Sequence, residues 1–285
     1  MRTDEVMYKL ILDFAEEDDA IYGILLNGSR ANPERQPDEW SDFDIVYVVK
    51  DIRKYQADLG WLDYFGEIAI MQEPDKLSPA TDNSDTEASY TFLAQFTDGN
   101  RIDFSFQTVD FALGNYRKDR LLRVLLDKHN LFTDAETVSE VDYYVAKPST
   151  WDYVCCVNEF WWVAVYVAKG LKRQQLIYAL EHLNNYLRPM LLQMLQWKIG
   201  VDNDFSVNCG YCGRYLKQLA KGEDWQRLLA TYPSSDSRNI EEALKVSCVL
   251  FSDLAVYVGE KLQYPYNVKE EKGSLAIIRL LLQKA

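Results

Sequence analysis

Two apolar runs joined by a polar loop constrain the fold of this chain more than any other feature. The first run ends in Gly28-Ser29, and the second, residues 43–49, begins next to Asp42 and contains Asp44. Because side chains two apart on a strand share a face, Asp42 and Asp44 present two carboxylates side by side at the start of a strand. Such a pair repels unless a cation lies between its members, and Mg²⁺ prefers oxygen ligands. Gly28-Ser29 lets the backbone approach a phosphate closely, so the pattern favours a nucleotide-dependent phosphoryl-transfer site.

A third aspartate strengthens this interpretation. Asp103 lies in a second strand-like run, residues 101–107, which follows the hairpin signal Asp98-Gly99. An Asp-x-Asp pair alone occurs by chance in acidic proteins. Its combination with a Gly-Ser turn and a later aspartate in a strand is more specific. The sequence therefore predicts that Asp42, Asp44 and Asp103 are metal ligands and catalytic residues.

The hydrophobic pattern predicts an α+β protein of two domains. The amino-terminal domain, residues 1–148, has a mixed β-sheet flanked by helices, and the carboxy-terminal domain, residues 149–285, is an all-helical bundle. The first domain is predicted to contain helices at 3–19 and 109–127, strands at 21–27, 43–49, 66–71, 90–97 and 101–107, and a mobile loop at 73–87. The second is predicted to contain helices at 151–169, 171–197, 211–221, 238–262 and 273–284, with Gly170 marking a break or a close approach between helices.

The distribution of charge excludes some functions. Residues 1–149 contain 15 Lys and Arg residues and 30 Asp and Glu residues. Residues 150–285 contain 16 Lys and Arg residues and 14 Asp and Glu residues. Nucleic-acid binding needs a basic surface, whereas this acidic half would attract a polycationic small molecule or would serve solubility alone. No segment has the roughly 20 uncharged apolar residues of a membrane span. Five cysteines and the absence of a signal-peptide pattern indicate reduced thiols and a cytoplasmic protein, and Cys209 and Cys212 lack partners for a zinc site.

The motif set resembles the signature of the polymerase-β-type nucleotidyltransferase superfamily, which is Gly-Ser, a loop, Asp-x-Asp and a later acidic residue on a neighbouring strand. Within that superfamily the chain resembles the aminoglycoside 6-adenylyltransferases, also called streptomycin adenylyltransferases. The closer resemblance lies in residues 28–32, 98–103, 125–128 and 166–173. It extends over most of the chain and thins after about residue 220.

The resemblance implies roles for particular residues. Asp42, Asp44 and Asp103 would hold one or two Mg²⁺ ions on the triphosphate of ATP, and Asp103 is also a candidate for the general base. The predicted nucleotide-binding residues are Gly28, Ser29, Arg30, Lys169, Arg173 and Tyr178. A surface ion pair is an equal alternative for Arg30, and core packing is the safer alternative for Tyr178. The predicted substrate-binding residues are Glu87, Glu159, Trp162 and Glu181, and Glu159 is the other candidate for the base.

The expected function is a Mg²⁺-dependent transfer of AMP from ATP to a hydroxyl group of a cationic aminoglycoside, with streptomycin as the expected acceptor and pyrophosphate released. Such an activity confers antibiotic resistance. The partners are ATP and the drug, without nucleic acid or membrane, and the chain is a monomer or a homodimer. Two alternatives stay open: a nucleotidyltransferase with another small-molecule or protein acceptor, and an inactive nucleotidyltransferase-fold binding protein.

Overall fold

The computed structural model describes residues 1–77, 86–133 and 137–283. Within it the chain forms two compact units: unit 1 is Met1–Asp142 and unit 2 is Tyr143–Ala285. The boundary predicted at residue 148 lies a short way into unit 2, directly before its first long helix. The predicted mobile loop 73–87 lies partly outside the described residues. Its described first part contains a short helix, Pro74–Leu77, so the loop prediction is wrong there, and the rest stays a prediction.

Unit 1 is built on a six-stranded mixed sheet with the strand order β3-β4-β5-β2-β1-β6. Its strands are β1 (Ile21–Asn27), β2 (Phe43–Val49), β3 (Ile68–Gln72), β4 (Ser89–Phe96), β5 (Arg101–Thr108) and β6 (Arg123–Asp127). Neighbouring strands are antiparallel except β2 and β5, which run parallel. Because β2 and β5 run in the same direction, their first residues meet at one edge of the sheet.

Four helices accompany the described part of this sheet. They are α1 (Asp4–Glu17), α2 (Arg53–Ala57), α3 (Pro74–Leu77) and α4 (Val109–Asn115). Thr3 caps helix α1 at its amino terminus, because its hydroxyl accepts a hydrogen bond from the backbone N–H of Val6. The helix buries Met7 and Ile11. An aromatic core packs beneath the sheet, where Trp61 lies 5.1 Å from Phe104 between ring centroids. The sheet therefore has a rigid apolar support under the edge where β2 and β5 begin.

The helix predicted over residues 109–127 is wrong in its second half. Helix α4 ends at Asn115, and residues Arg123–Asp127 form β6, which pairs antiparallel with β1. Leucine has a high helix propensity, so the local sequence of β6 favours a helix rather than a strand. Pairing with β1 supplies backbone hydrogen bonds that the local propensity does not reveal, and this tertiary context decides the structure.

Unit 2 is helical throughout its regular structure. Its helices are α5 (Thr150–Lys172), α6 (Leu176–Glu181), a π-helical turn (His182–Leu187), α7 (Arg188–Asp202), α8 (Leu216–Leu219), α9 (Asp224–Leu229), α10 (Ser237–Leu262) and α11 (Val268–Leu282). A capping box of Ser149 and Asp152 begins α5, as their positions before an apolar run indicate. In the core, Phe160 of α5 stacks on Phe251 of α10 with ring centroids 3.7 Å apart.

Gly170 marks a close approach between helices rather than a break. Helix α5 continues through Gly170 to Lys172. A Cβ atom at Gly170 would lie 2.9 Å from Cδ1 of Tyr178 and 3.0 Å from Cβ of Ala179. The absence of a side chain at this position therefore lets α6 pack directly on α5.

Helix α5 is also long and apolar enough to cross a membrane by length and composition. More than half of its most apolar 18-residue segment is buried inside the protein. A helix in the core of a protein that does not span a membrane can have the same length and composition. This single helix is therefore weak evidence for a membrane span.

Candidate functional site

The start of β2 and β5 brings together most of the residues that the sequence singles out in unit 1. Asp44 is opposite Asp103 across the parallel pair β2–β5, and it is opposite Asn27 across the antiparallel pair β1–β2. Residues directly opposite one another project from the same face of a sheet. Asn27, Asp44 and Asp103 thus form a row of oxygen-bearing side chains on three adjacent strands, and Asp42 precedes β2 at the same edge.

Arg101 lies between two of the predicted catalytic carboxylates. Its Nε donates to Oδ1 of Asp103 at 2.8 Å, and its Nη2 donates to Oδ2 of Asp103 at 2.9 Å. Its Nη1 lies 3.4 Å from Oδ2 of Asp42. The hydrogen bonds to Asp103, supported by the charges of Asp103, Asp42 and Asp44 and opposed by burial, raise the pKa of the Arg101 guanidinium. All three carboxylates therefore act on one arginine.

Gly28 shapes the turn that faces Asp44. Its φ of 69° and ψ of −153° belong to a region of backbone conformation that only glycine adopts readily. A Cβ atom at Gly28 would lie 2.0 Å from Oδ2 of Asp44, closer than any real contact. The backbone thus passes directly beside the carboxylate, and Ser29 follows as the first residue of a short 3₁₀ turn. The assignment of Gly28 and Ser29 to phosphate stays a prediction.

Arg30 is buried and bound within the protein. Its Nη1 donates to Oδ2 of Asp4 at 2.7 Å, its Nε donates to the carbonyl of Ser41 at 3.1 Å, and its Nη2 donates to the carbonyl of Asp38 at 3.4 Å. The guanidinium also lies 3.8 Å from the ring centroid of Phe43. The expected ion pair exists, but Arg30 is its buried member, with 1% of its side chain exposed. These contacts hold the loop that leads into β2, and a role for Arg30 at the nucleotide stays a prediction.

The donor set at this edge fits a hard divalent cation in its chemistry. Carboxylate and amide oxygens are the ligands that Mg²⁺ and Ca²⁺ take in proteins. The Oδ1 atom of Asn27 is buried without a hydrogen-bond partner, which leaves its lone pairs available. In the described part of the chain no group of three or more His, Cys, Asp or Glu side chains lies close enough to hold a metal ion. Instead, the cation of Arg101 lies between Asp42 and Asp103.

The predicted nucleotide-binding residues of unit 2 lie around the end of α5. Lys169 is half-buried, with Nζ 5.3 Å from the ring centroid of Tyr166. Arg173 is exposed and caps the helix, and its backbone N–H donates to the carbonyl of Lys169. Tyr178 contacts the ring of His182 in a tilted arrangement, with centroids 4.1 Å apart, and packs against Gly170. Packing within unit 2, the safer alternative for Tyr178, is thus present.

The predicted substrate-binding residues are spread over both units. Glu87 is exposed in the turn before β4 of unit 1. In unit 2, Trp162 is 62% exposed and contacts Tyr166 edge to face at 6.0 Å. Glu181 is exposed, and its Oε2 accepts a hydrogen bond from Nδ2 of Asn185 at 2.5 Å. Glu159 and Trp162 lie three residues apart on α5, and the roles of all four residues stay predictions.

Glu159 lines a cavity within unit 2. The cavity has a volume of about 1010 Å³. The polar residues that line it include Asp152, Glu159 and Lys147, and the amide-bearing residues Asn158, Gln193, Gln196 and Asn208. Asp152 is engaged in the cap of α5, whereas Glu159 is exposed about two turns further along the same helix. A cavity of this kind offers hydrogen-bond acceptors and negative charge to a ligand rich in hydroxyl and amino groups.

Within residues 1–77, 86–133 and 137–283, no cysteine belongs to a group of three or more His, Cys, Asp or Glu side chains that could hold a metal ion. Cys209 is buried and Cys212 is exposed, and both are free thiols. Burial raises the pKa of the Cys209 thiol to about 11, so the reactive thiolate is disfavoured. The expectation of reduced thiols agrees with this arrangement.

Sequence reasoning missed two residues of the unit 1 site. Arg101 lies two residues before Asp103 on β5, and this spacing places both side chains on one face, which is a signal that the sequence contains. Asn27 ends β1 directly before Gly28, but only the register of β1 against β2 shows that it faces Asp44. Both residues are visible as parts of the site once the strands are paired.

Comparison with known proteins adds independent information. A family model described as streptomycin adenylyltransferase matches residues 1–279. An aminoglycoside 6-adenylyltransferase of Campylobacter jejuni is 34% identical over 281 residues, which cover 98% of this chain and 96% of the relative. The protein of the same name from Bacillus subtilis (strain 168) is 32% identical over 275 residues, covering 95% of each chain.

A solved structure is similar over the whole chain. The crystal structure of an aminoglycoside 6-adenyltransferase from Bacillus subtilis matches with a TM-score of 0.50 and 27% sequence identity, and the match covers 100% of both chains. The mixed sheet with flanking helices followed by a helical region, as predicted, is thus shared with that structure.

Proposed function

The chain belongs to the streptomycin adenylyltransferase family, and on this premise we propose that it transfers the adenylyl group of ATP to a hydroxyl group of an aminoglycoside. Streptomycin is the first acceptor to test, because the family model carries its name. Membership makes the chain a nucleotidyltransferase enzyme. The proposal adds the acceptor, the bond that forms and the metal.

The register of β2 and β5 is the observation that carries this proposal. It places Asp44 opposite Asp103, beside the turn at Gly28, at the edge where Asp42 enters the sheet. In the proposed reaction the acceptor oxygen attacks the α-phosphorus of ATP, the bond to pyrophosphate breaks, and the hydroxyl proton passes to a carboxylate. Asp103 and Glu159 are the two carboxylates proposed for that proton. The row of acidic side chains on adjacent interior strands gives the reaction fixed groups.

We assign one or two Mg²⁺ ions to Asp42, Asp44 and Asp103. When bound, the metal would neutralise the triphosphate and stabilise the negative charge that develops at the α-phosphorus. The protein contributes the orientation: the backbone at Gly28 limits where the Asp44 carboxylate can move, and Arg30 holds the loop before Asp42. In this proposal the binding of ATP depends on Mg²⁺, because the triphosphate and the carboxylates are all anionic and would otherwise repel one another.

We place the acceptor in the cavity of unit 2 that Glu159 lines. An aminoglycoside carries amino or guanidino groups and many hydroxyl groups, which match the carboxylates and amides of this cavity in charge and hydrogen bonding. The excess of acidic residues in residues 1–149 would add long-range attraction for a polycation.

The direct test is mass spectrometry of streptomycin incubated with the protein, ATP and Mg²⁺. We expect a product with the mass of the drug plus one adenylyl group, together with pyrophosphate, and neither without Mg²⁺. A panel of other aminoglycosides and small hydroxylated acceptors, each with labelled ATP, distinguishes streptomycin from another acceptor. Label on none of them, with no nucleotide bound, would favour the inactive binding protein.

Replacing Glu159 with Gln tests the acceptor cavity. We expect KM for the aminoglycoside to rise about tenfold or more, because a charge-assisted hydrogen bond is lost, while KM for ATP stays within about twofold. Glu260→Gln, an exposed glutamate on α10 of the same unit, is the control and should leave both constants unchanged. Equal effects of the two substitutions would remove Glu159 from the acceptor site.

A further inference from the structure

Arg101 makes the ionic contacts that a bound metal would make with two of the catalytic carboxylates. Its guanidinium donates two parallel hydrogen bonds to Asp103, at 2.8 and 2.9 Å, and a third nitrogen lies 3.4 Å from Asp42. Both carboxylates are partly exposed, with 38% of the Asp42 side chain and 19% of the Asp103 side chain accessible. A metal ion in solution can therefore reach them, and it would meet a positive charge already in place.

Arg101 cannot release the two carboxylates to a metal ion by losing its own charge. A guanidinium stays protonated throughout the pH range in which proteins are folded, so it leaves the carboxylates only by moving its side chain. Its planar group also matches the geometry of phosphate oxygens, to which it can donate in the same paired manner as to a carboxylate. With 37% of its side chain exposed, Arg101 is accessible to an anion in solution.

We propose that Arg101 is a positioning residue that holds Asp42 and Asp103 before substrate binds and exchanges those carboxylates for the phosphates of the nucleotide when the metal arrives. Metal alone must displace the guanidinium without offering it a new partner. Metal together with a nucleotide supplies phosphate oxygens as that partner. The two ligands therefore bind cooperatively, and loading of metal without nucleotide is suppressed. The nucleotide half of this exchange rests on the proposed function, whereas the competition between Arg101 and the metal does not.

The chain contains a matched control for this pair. Arg53 donates to both carboxylate oxygens of Asp51, at 3.0 and 2.8 Å, with the same spacing of two residues. Its side chain is 78% exposed at the surface of unit 1, away from the catalytic carboxylates in sequence and fold. Arg53→Gln thus removes an equivalent ion pair and one positive charge from the same unit without altering the contacts between Arg101 and the carboxylates of Asp42 and Asp103.

The first measurement is binding of Mn²⁺ alone, followed by electron paramagnetic resonance of the free ion in the absence of nucleotide. We expect Arg101→Gln to bind Mn²⁺ at least about tenfold more tightly than the unsubstituted protein and Arg53→Gln, because the competing charge is gone. Arg101→Lys keeps the charge and should stay within about threefold of the unsubstituted protein. Equal or weaker binding of Mn²⁺ by Arg101→Gln would overturn the proposal.

The second measurement is thermal unfolding with and without Mn²⁺. Arg101→Gln should unfold at a lower temperature than Arg53→Gln in metal-free buffer, because its carboxylates repel without a cation, and added Mn²⁺ should raise its midpoint by more. If Arg101→Gln does not fold without metal, refolding in the presence of Mn²⁺ and the Arg101→Lys variant provide the same comparison. No difference in the response to Mn²⁺ would count against the exchange.

The third measurement is binding of a fluorescent ATP analogue in the presence of Mg²⁺. Arg101→Gln should bind it several-fold more weakly, the opposite direction to its effect on Mn²⁺ alone, because the displaced guanidinium no longer meets the phosphates. Tighter binding of both ligands would overturn the exchange. Tighter binding of Mn²⁺, with no nucleotide bound by any variant, would support the competition and reject the proposed function.

Discussion

Asp44→Asn should lower adenylyl transfer by roughly 10³-fold or more while leaving the fold intact. Asp44 is the central member of the row Asn27, Asp44 and Asp103, so its charge acts on both neighbouring strands. Asparagine has the same shape and keeps one carbonyl oxygen, but it removes the negative charge that a divalent cation needs. The first turnover of ATP and acceptor, measured by release of labelled pyrophosphate, gives the rate directly.

The comparison that isolates the charge is Asp51→Asn. Asp51 is a partly exposed aspartate of the same unit that pairs with Arg53, and its replacement should change the rate by less than about twofold. Both variants should unfold within a few degrees of the unsubstituted protein. Turnover by Asp44→Asn comparable with that of Asp51→Asn would remove Asp44 from the catalytic groups.

The second large effect is expected from Gly28→Ala. A single methyl group at this position would lie 2.0 Å from Oδ2 of Asp44, so either the turn or the carboxylate must move. The conformation at Gly28 also costs an alanine about 1–3 kcal/mol, because it lies in a region that glycine alone adopts readily. We expect transfer to fall by about 10²-fold or more, together with a lower unfolding midpoint.

Gly114→Ala provides the control for this substitution. Gly114 lies in helix α4 of the same unit, and no atom outside its own helix lies within 4 Å of a Cβ atom built there. Alanine at Gly114 should leave transfer unchanged and stabilise the protein slightly, by reducing the freedom of the unfolded chain. If Gly28→Ala retained full transfer, the close passage of backbone and Asp44 would have no role in catalysis.

The part of the site that lies on β1 and β2 follows from the sequence. Both strands begin and end where the two apolar runs predict, and the Gly-Ser turn and the Asp-x-Asp pair fix the residues at their ends. Asp103 is different, because its approach to Asp44 depends on the parallel pairing of β2 with β5. Local sequence does not encode which strands pair, so this convergence came from the family resemblance.

The remaining differences have the same origin in long-range contacts. Residues 123–127 contain leucines, which favour a helix. They form β6 instead, because their backbone pairs with that of β1. Arg30 was expected at the nucleotide or at the surface, yet its contact with Asp4 joins it to the first helix and buries it. The roles of Lys169, Arg173 and Glu181, the oligomeric state and the cytoplasmic location stay predictions.

The strand order has a consequence for how this enzyme family can diversify. The strands that bear Asp44 and Asp103 are the two middle strands of the sheet, each flanked on both sides, whereas β3 and β6 form its margins. Insertions and substitutions at the margins can be absorbed there without shifting the middle strands. The carboxylates proposed for the chemical step can therefore keep their positions while the margins of the sheet diverge.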